Sequence, residues 1–217
     1  INPNIDYLLG SLIYTKHCIC EWESFDVDLK ELSGKVLKKN KICTPFQALK
    51  FFDSPKLQNI TAQTYVKEKY LDKDDSIPIL NNQPKKKIRI GYYSADFRNH
   101  AMSFLFANLF ELHDKSKFEL IAFSFGPEKK DEMYHRVSAA FDQFIDVRLK
   151  SDDDIMKLSR KLGIDIGIDL MTFTQYHRFE IFTKRCAPIQ INYLAYPGTS
   201  GASCVDYIIA DKTLIPE

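Results

Sequence analysis

The spacing of apolar residues changes once along the chain, near residue 88. Residues 1 to about 70 place apolar side chains at mixed helical spacings, as in LLGSLIYTKHCICEWESF, which predicts a helical lead-in. Ser54 before Pro55 is typical of an N-cap followed by the first helical residue, so a helix is expected to begin there. The segment carries no catalytic pattern, and we expect it to serve in packing.

From residue 88 onward, short apolar runs alternate with helical segments. The runs predict six strands: IRIGYYSA, FELIAFSFG, QFIDVR, IDIGIDLM, IQINYLA and VDYIIAD. MSFLFANLFELHD, KKDEMYHRVSAAF, SDDDIMKLSRKLG and RFEIFTKRC predict helices between them, with Ser151 as an N-cap and Gly163 as a stop. This alternation predicts an α/β fold, a Rossmann-like doubly wound parallel sheet over residues 88–217.

Residues 71–87, LDKDDSIPILNNQPKKK, are polar and contain two prolines, which predicts a linker. The adjoining basic residues Lys85, Lys86, Lys87 and Arg89 could contact a phosphate backbone. However, 30 basic and 29 acidic residues leave no net field that favours nucleic acid or an anionic membrane. We therefore interpret the cluster as a solvated entry to the first strand.

The cysteines indicate a reducing compartment. Five cysteines at irregular spacings, with no signal-peptide pattern at the N-terminus, are typical of a cytoplasmic protein. Cys18 and Cys20 beside His17 suggest a metal site, but the spacing is not C-x2-C and no second pair completes four ligands. We interpret them as small buried thiols on a helix face and predict no metal.

Three loops after predicted strands carry polar residues or glycines: DFRNHAM, TFTQYHR and YPGTSGA. Ligands of doubly wound sheets bind outside the carboxyl ends of the strands, where these loops are expected to lie. The first loop has no G-x-G-x-x-G, the glycine turn that admits a dinucleotide pyrophosphate. The sequence therefore argues against NAD or FAD as a cofactor.

The first loop places Asp96, Arg98, Asn99 and His100 before a predicted helix. A neutral histidine there can accept a proton, as a general base must. Alternatively, His100 caps the helix or hydrogen-bonds the loop, and its residue type leaves both roles open.

The other two loops also admit two readings. In the second, Thr172, Thr174, His177 and Arg178 could bind a polar ligand or serve as caps and solvated side chains. In the third, backbone N–H groups could line an anion or sugar site, or the segment could be a tight structural turn.

Two of these loops, and the segment that enters the fifth predicted strand, contain motifs that resemble those of a known family. D-F-x-N-H, A-P-I-Q and Y-P-G-T-S-G, in that order, resemble the O-linked N-acetylglucosamine transferase family, above all its bacterial members with tetratricopeptide repeats. The chain is similar also to the plant SPINDLY-type O-fucosyltransferases. The likeness runs from about residue 88 to the end, and CEWESF and FFDSP extend it into the lead-in.

The resemblance implies half of a GT-B glycosyltransferase. Members have two facing Rossmann-like lobes after a helical repeat region, and this chain matches the end of that region and the N-terminal lobe. The implied reaction is inverting transfer of N-acetylglucosamine, or a related sugar, from a nucleotide-sugar such as UDP-N-acetylglucosamine to Ser or Thr of proteins, without a metal or other cofactor. The implied partners are a protein or peptide acceptor and the C-terminal lobe, which holds the nucleotide-sugar. We expect the isolated fragment to be inactive and to expose a face through which it could self-associate.

The resemblance also assigns residues. His100 matches the family's proposed catalytic base, and Asp96 and Asn99 match its neighbours, which the resemblance assigns to shaping that loop and to substrate binding. Two departures stand out: most relatives have proline where this chain has Ala101, and a small residue near Met171 and Thr172. Positions matched to substrate binding in the other two loops are Thr172, Arg178, Pro197, Gly198, Thr199, Ser200 and Gly201.

Two alternatives stay open at this point. The first is a binding or scaffold module whose active loop has decayed, which Ala101 and Met171 favour. The second is a different Rossmann-like enzyme, such as a sugar-nucleotide epimerase, which the missing glycine fingerprint disfavours.

Overall fold

The structure, a computed structural model, describes residues 5–70 and 86–215. These residues form two compact units. One contains residues 5–70 with Gly198–Ser203, and the other contains residues 86–197 with 204–215. Of the predicted linker, residues 71–85, including Lys85, lie outside the described residues.

The first unit is helical. Its core includes Ile13, Leu32, Ala48 and Phe51, which are at most 5% exposed. The N–H of Leu57 donates to Ser54 Oγ at 3.5 Å, which confirms Ser54 as the predicted cap. The helices of residues 5–70 are α1 (Leu8–Cys18), α2 (Phe25–Leu37), α3 (Pro45–Phe51) and α4 (Pro55–Tyr70).

Cys18 and Cys20 are both exposed, so their interpretation as buried thiols is wrong. The helix α1 ends at Cys18, and Cys20 lies beyond it with φ at 58°. Cys18 is therefore the exposed last residue of α1, and Cys20 lies outside the helical face on which the sequence placed it.

The second unit is a six-stranded parallel sheet of order β3-β2-β1-β4-β5-β6, which confirms the predicted α/β fold. The direction of strand order reverses between β1 and β4, where ligands of such sheets bind. In chain order the elements are β1 (Ile88–Ser94), α5 (Ala101–Glu111), β2 (Phe118–Ser124), α6 (Glu132–Ala140), β3 (Gln143–Asp146), α7 (Asp152–Lys161), β4 (Ile166–Asp169), α8 (Glu180–Thr183), β5 (Ile189–Tyr193) and β6 (Tyr207–Ile209).

Both faces of the central strands are buried, because side chains alternate along a strand. Tyr92 packs with Phe106 and Phe110 of α5 on one face. Tyr93 on the other face packs with Phe182 and stacks on Phe123, with ring centroids 4.5 Å apart. The sheet is therefore covered on both sides and holds the loops at its carboxyl edge on a packed platform.

Several elements are shorter than predicted, and for β4 and α8 the structure shows where the chain turns. The strand β4 ends at Asp169 rather than Met171, because the carboxylate of Asp169 accepts the N–H groups of Met171 and Thr172 and turns the chain. The helix α8 is a single turn, and Arg185 two residues after it has φ at 57°.

Candidate functional site

The loops after β1 and β4 meet at the reversal in strand order, through Met171. Its Sδ lies 3.5 Å from both Ser94 Oγ and the backbone N of Ala95, and the residue is 2% exposed. Met171 is therefore buried between the two loops at the reversal in strand order, the place where sheets of this order bind ligands.

The loop after β1 is anchored by Phe97. This residue is 3% exposed, and its ring lies 5.6 Å from that of Phe141 and 5.5 Å from that of Phe144. The phenylalanine of the D-F-x-N-H motif thus belongs to the core. The polar residues on either side of it are held at the carboxyl end of β1.

Asp96 is a buried carboxylate shared by two basic side chains. It is 6% exposed, with Oδ1 at 3.3 Å from Nη2 of Arg98 and Oδ2 at 3.5 Å from Nδ1 of His100. Burial raises the pKa of Asp96, and the charges of His100 and Arg98 oppose that rise. The loop therefore concentrates ionisable groups beside the start of α5.

His100 is the N-cap of α5. Its Nδ1 accepts the backbone N–H of Met102 at 3.3 Å, which is the capping role that the sequence left open. The side chain is 37% exposed, and Nε2 has no hydrogen-bond partner among the described residues. The fold therefore uses one ring nitrogen, and the other makes no hydrogen bond within the described residues.

Asn99 ties this loop to α6. Its N–H donates to Oδ2 of Asp131 at 2.8 Å, and its Oδ1 accepts the N–H of Met133 at 3.3 Å. Asp131 in turn caps α6 by accepting the N–H of Tyr134 at 2.9 Å. Asn99 therefore fixes the position of the loop, and Asp131 is a partner that the sequence analysis missed although D-E-M-Y is a typical helix start.

Gly126 was also missed in the sequence. A Cβ added there would lie 1.7 Å from the carbonyl oxygen of Ala95, so the loop after β2 can approach the loop after β1 this closely only with glycine. Between these two loops lies a cavity of about 30 Å³, which is lined in part by Lys130, Tyr134 and Arg148.

The loop after β4 is built around a second buried aspartate. Asp169 is 2% exposed and accepts the N–H groups of Met171 and Thr172 and the hydroxyl of Thr172 at 2.9–3.1 Å. Thr172 is 1% exposed with φ at 46°, and its hydroxyl also accepts the amide of Asn192. Burial raises the pKa of Asp169, although these hydrogen bonds oppose the rise. Both bonds of the Thr172 hydroxyl are therefore internal, and its role in substrate binding stays a prediction.

Arg178 is committed to the fold as well. Nε donates to Oδ1 of Asp152 at 2.5 Å, and the other nitrogens donate to the carbonyl oxygens of Lys150 and Val147 at 2.7 and 3.3 Å. The side chain is 20% exposed. The guanidinium therefore holds the loop before α7, and its contact with substrate stays a prediction.

The glycine-rich turn belongs to the helical unit from Gly198 onward, whereas Pro197 belongs to the sheet unit. The hydroxyl of Thr199 accepts the N–H of Gly201 at 3.2 Å, and that of Ser200 accepts the N–H of Ala202 at 3.4 Å. Gly201 has φ at 62°, and a Cβ there would lie 2.6 Å from the backbone N of Gln63. These bonds are those of the tight structural turn considered above.

The glutamine of the A-P-I-Q motif is structural too. Gln190 is 0% exposed, and its Oε1 accepts the N–H of Cys186 at 2.9 Å. Its Nε2 donates to the carbonyl oxygens of Phe182 and Cys204 at 2.9 and 2.6 Å. The motif therefore marks the packing of the loop before β5.

Within residues 5–70 and 86–215, no three His, Cys, Asp or Glu side chains are grouped so as to hold a metal ion. No helix in this part of the chain combines the length and the apolar character needed to cross a membrane.

Residues 58–217 match the model of the family described as "Glycosyl transferase family 41". The chain is 28% identical over 220 residues to the probable UDP-N-acetylglucosamine–peptide N-acetylglucosaminyltransferase SEC of Arabidopsis thaliana, covering 94% of this chain and 22% of that protein. It is 33% identical over 143 residues to the UDP-N-acetylglucosamine–peptide N-acetylglucosaminyltransferase of Caenorhabditis elegans, covering 65% of this chain and 12% of that protein. Among solved structures, a mutant O-GlcNAc transferase of Thermobaculum terrenum is 27% identical with a TM-score of 0.71, covering 97% of this chain and 41% of that one. The chain thus spans only a fraction of each relative.

Proposed function

The chain belongs to glycosyl transferase family 41, and we propose that the full-length protein transfers N-acetylglucosamine from UDP-N-acetylglucosamine to Ser or Thr of proteins or peptides. The observation that carries the proposal for this part of the chain is the loop after β1. It holds a 37% exposed histidine with one unused ring nitrogen at the carboxyl edge of the sheet.

In the proposed reaction, the acceptor hydroxyl oxygen attacks the anomeric carbon from the face opposite the diphosphate. The bond from that carbon to the diphosphate oxygen breaks, UDP leaves with the electron pair, and the hydroxyl proton passes to a base. Hydrogen-bond donors directed at the departing oxygen stabilise the charge that develops there.

We assign this chain the lobe opposite the nucleotide site. Met171 supports the assignment, because its buried side chain packs against Ser94 and Ala95 at the reversal in strand order, where a nucleotide would otherwise lie on this sheet. The proposal keeps His100 as catalytic residue, Asp96 and Asn99 as residues that shape its loop, and Pro197–Gly201 as a substrate-contacting turn. Thr172 and Arg178 are reassigned to loop structure, and the partners are the second lobe and the protein acceptor. Five free cysteines support a reducing location such as the cytoplasm.

A scaffold module is the second candidate, favoured by the same Met171, since a large side chain buried between these loops also suits a lobe without activity. Transfer separates the two: the full-length protein is incubated with UDP-N-acetylglucosamine and acceptor peptides, and the products are analysed by mass spectrometry. A peptide mass increase of one N-acetylhexosamine, absent without the nucleotide-sugar, supports the transferase. Binding of peptide without transfer by a protein that also binds UDP-N-acetylglucosamine favours the scaffold.

The 217-residue chain itself gives a simpler check on the division between lobes. Calorimetric titration with UDP and with UDP-N-acetylglucosamine should show no binding. Micromolar binding would place a nucleotide site on this chain and contradict the assignment.

A further inference from the structure

Two groups compete for Nδ1 of His100. The backbone N–H of Met102 donates to it at 3.3 Å, and Oδ2 of Asp96 lies 3.5 Å away. A backbone N–H can only donate, so the first contact requires a lone pair on Nδ1. A carboxylate can only accept, so the second requires a proton there. The two contacts therefore belong to different protonation forms of the ring.

In the neutral ring, the contact with the N–H of Met102 determines which nitrogen carries the proton. A neutral imidazole has one N–H and one lone pair, so when Nδ1 accepts, Nε2 carries the proton. The opposite tautomer would leave the N–H of Met102 without its cap at the start of α5. In exchange it would gain only a contact at 3.5 Å, longer than the 3.3 Å contact it gives up, to a carboxylate already shared with Arg98.

From this geometry we infer that Nε2 of His100 is a hydrogen-bond donor and not the proton acceptor of the reaction. If the ring becomes charged, Nδ1–H can turn to Asp96 while Nε2 keeps its proton, so Nε2 donates in both forms. The inference rests on the proposed function, in which Nε2 would donate to a substrate oxygen that carries or gains negative charge. This revises the base role that the family resemblance implied for His100.

The tautomer can be measured on the 217-residue chain, without any activity. With ¹⁵N-labelled histidine, the spectrum of the neutral ring distinguishes a protonated nitrogen from one with a lone pair, and His100→Asn identifies the signals. We expect protonated Nε2 and unprotonated Nδ1. The matched variant Asp96→Asn should leave this tautomer unchanged, because the cap and not Asp96 determines it. Protonated Nδ1 in the wild type, or a tautomer that changes in Asp96→Asn, would overturn the inference.

Three substitutions in the full-length protein test the consequence. The amide nitrogen of Gln reaches the position of Nε2 and donates, but it takes up no proton at neutral pH. Asn can cap the helix, but its amide ends near the position of Nδ1. We expect His100→Gln to keep kcat/KM within about tenfold, and His100→Ala and His100→Asn to lose about 10²–10³-fold, as after removal of one donor to a developing oxyanion.

A base would give a different pattern. All three variants would then lose a similar factor, on the order of 10²–10⁴. That result would overturn the inference, as would full activity of His100→Ala. Failure of the proposed function itself appears separately, as a wild-type protein that transfers no sugar while the measured tautomer still stands.

Discussion

The loops after β1 and β4 look alike in the sequence but differ in what the fold leaves unused. Each follows a buried strand and is built around a buried aspartate, Asp96 or Asp169. Asp169 is satisfied by groups of its own loop, whereas the carboxyl group of Asp96 faces the side chains of Arg98 and His100. The first loop presents a 37% exposed ring with a free nitrogen, and Thr172 in the second is 1% exposed. Unused hydrogen-bonding capacity, and not polarity alone, therefore separates a candidate site from a well-bonded turn.

The largest expected effect is a loss of stability when the loop after β4 loses its buried aspartate. Asp169→Ala leaves two buried N–H groups and the hydroxyl of Thr172 without their acceptor, and we expect it to lower the free energy of unfolding by about 3–5 kcal/mol. Urea unfolding followed through the amide signals of the sheet measures this loss. Asp169→Asn, which keeps one acceptor oxygen, should lose less. A loss below about 1 kcal/mol in Asp169→Ala would show that the loop does not depend on these bonds.

A smaller effect is expected where the loop after β2 approaches the first loop. Gly126→Ala would place its Cβ 1.7 Å from the oxygen of Ala95, so one of the two loops must move, at a cost of about 1–3 kcal/mol. Backbone chemical shifts of residues 95–100 should change with it. The matched control is Gly34→Ala in α2, where no atom lies within 4 Å and alanine favours the helix. Unchanged shifts in residues 95–100 would contradict the claimed close packing.

The smallest effect concerns pH. Burial raises the pKa of Asp96 above its usual 3.8, so between the unfolded and folded pKa values the folded state binds more protons than the unfolded state. Stability relative to Asp96→Asn should therefore fall as the pH rises from 3.8 through the raised pKa of the folded state. Urea unfolding of both proteins across this range gives the difference, in which the contribution of Asp169 cancels. A difference that stays flat or rises would show that burial of Asp96 does not dominate.

Local patterns predicted most of the fold. The alternation of apolar runs predicted six parallel strands, and Ser151, whose hydroxyl accepts the N–H of Asp154 at 3.1 Å, and Gly163, with φ at 64°, lie where helix signals placed them. The pattern did not predict that β4 ends early, because the carboxylate of Asp169 turns the chain there.

The sequence predicted where the candidate site lies but not which of the loop residues are free to contribute to it. The sequence identified the loops after β1 and β4. It did not show that Arg178 pairs with Asp152, 26 residues earlier, or that Thr172 binds Asn192, 20 residues later. Such pairs depend on which loops the parallel sheet brings together, and no local spacing encodes them. The cap at His100, by contrast, involves residues two apart and was among the alternatives read from the sequence.

The contrast between the loops is tested most directly by comparing His100→Ala with Arg178→Ala in the full-length protein. Sugar transfer to an acceptor peptide is measured well below the unfolding temperature of both variants. We predict that His100→Ala loses about 10²–10³-fold in kcat/KM while Arg178→Ala, though less stable, stays within a few fold of the wild type. The reverse order would place the functional residue in the loop after β4 and contradict the account.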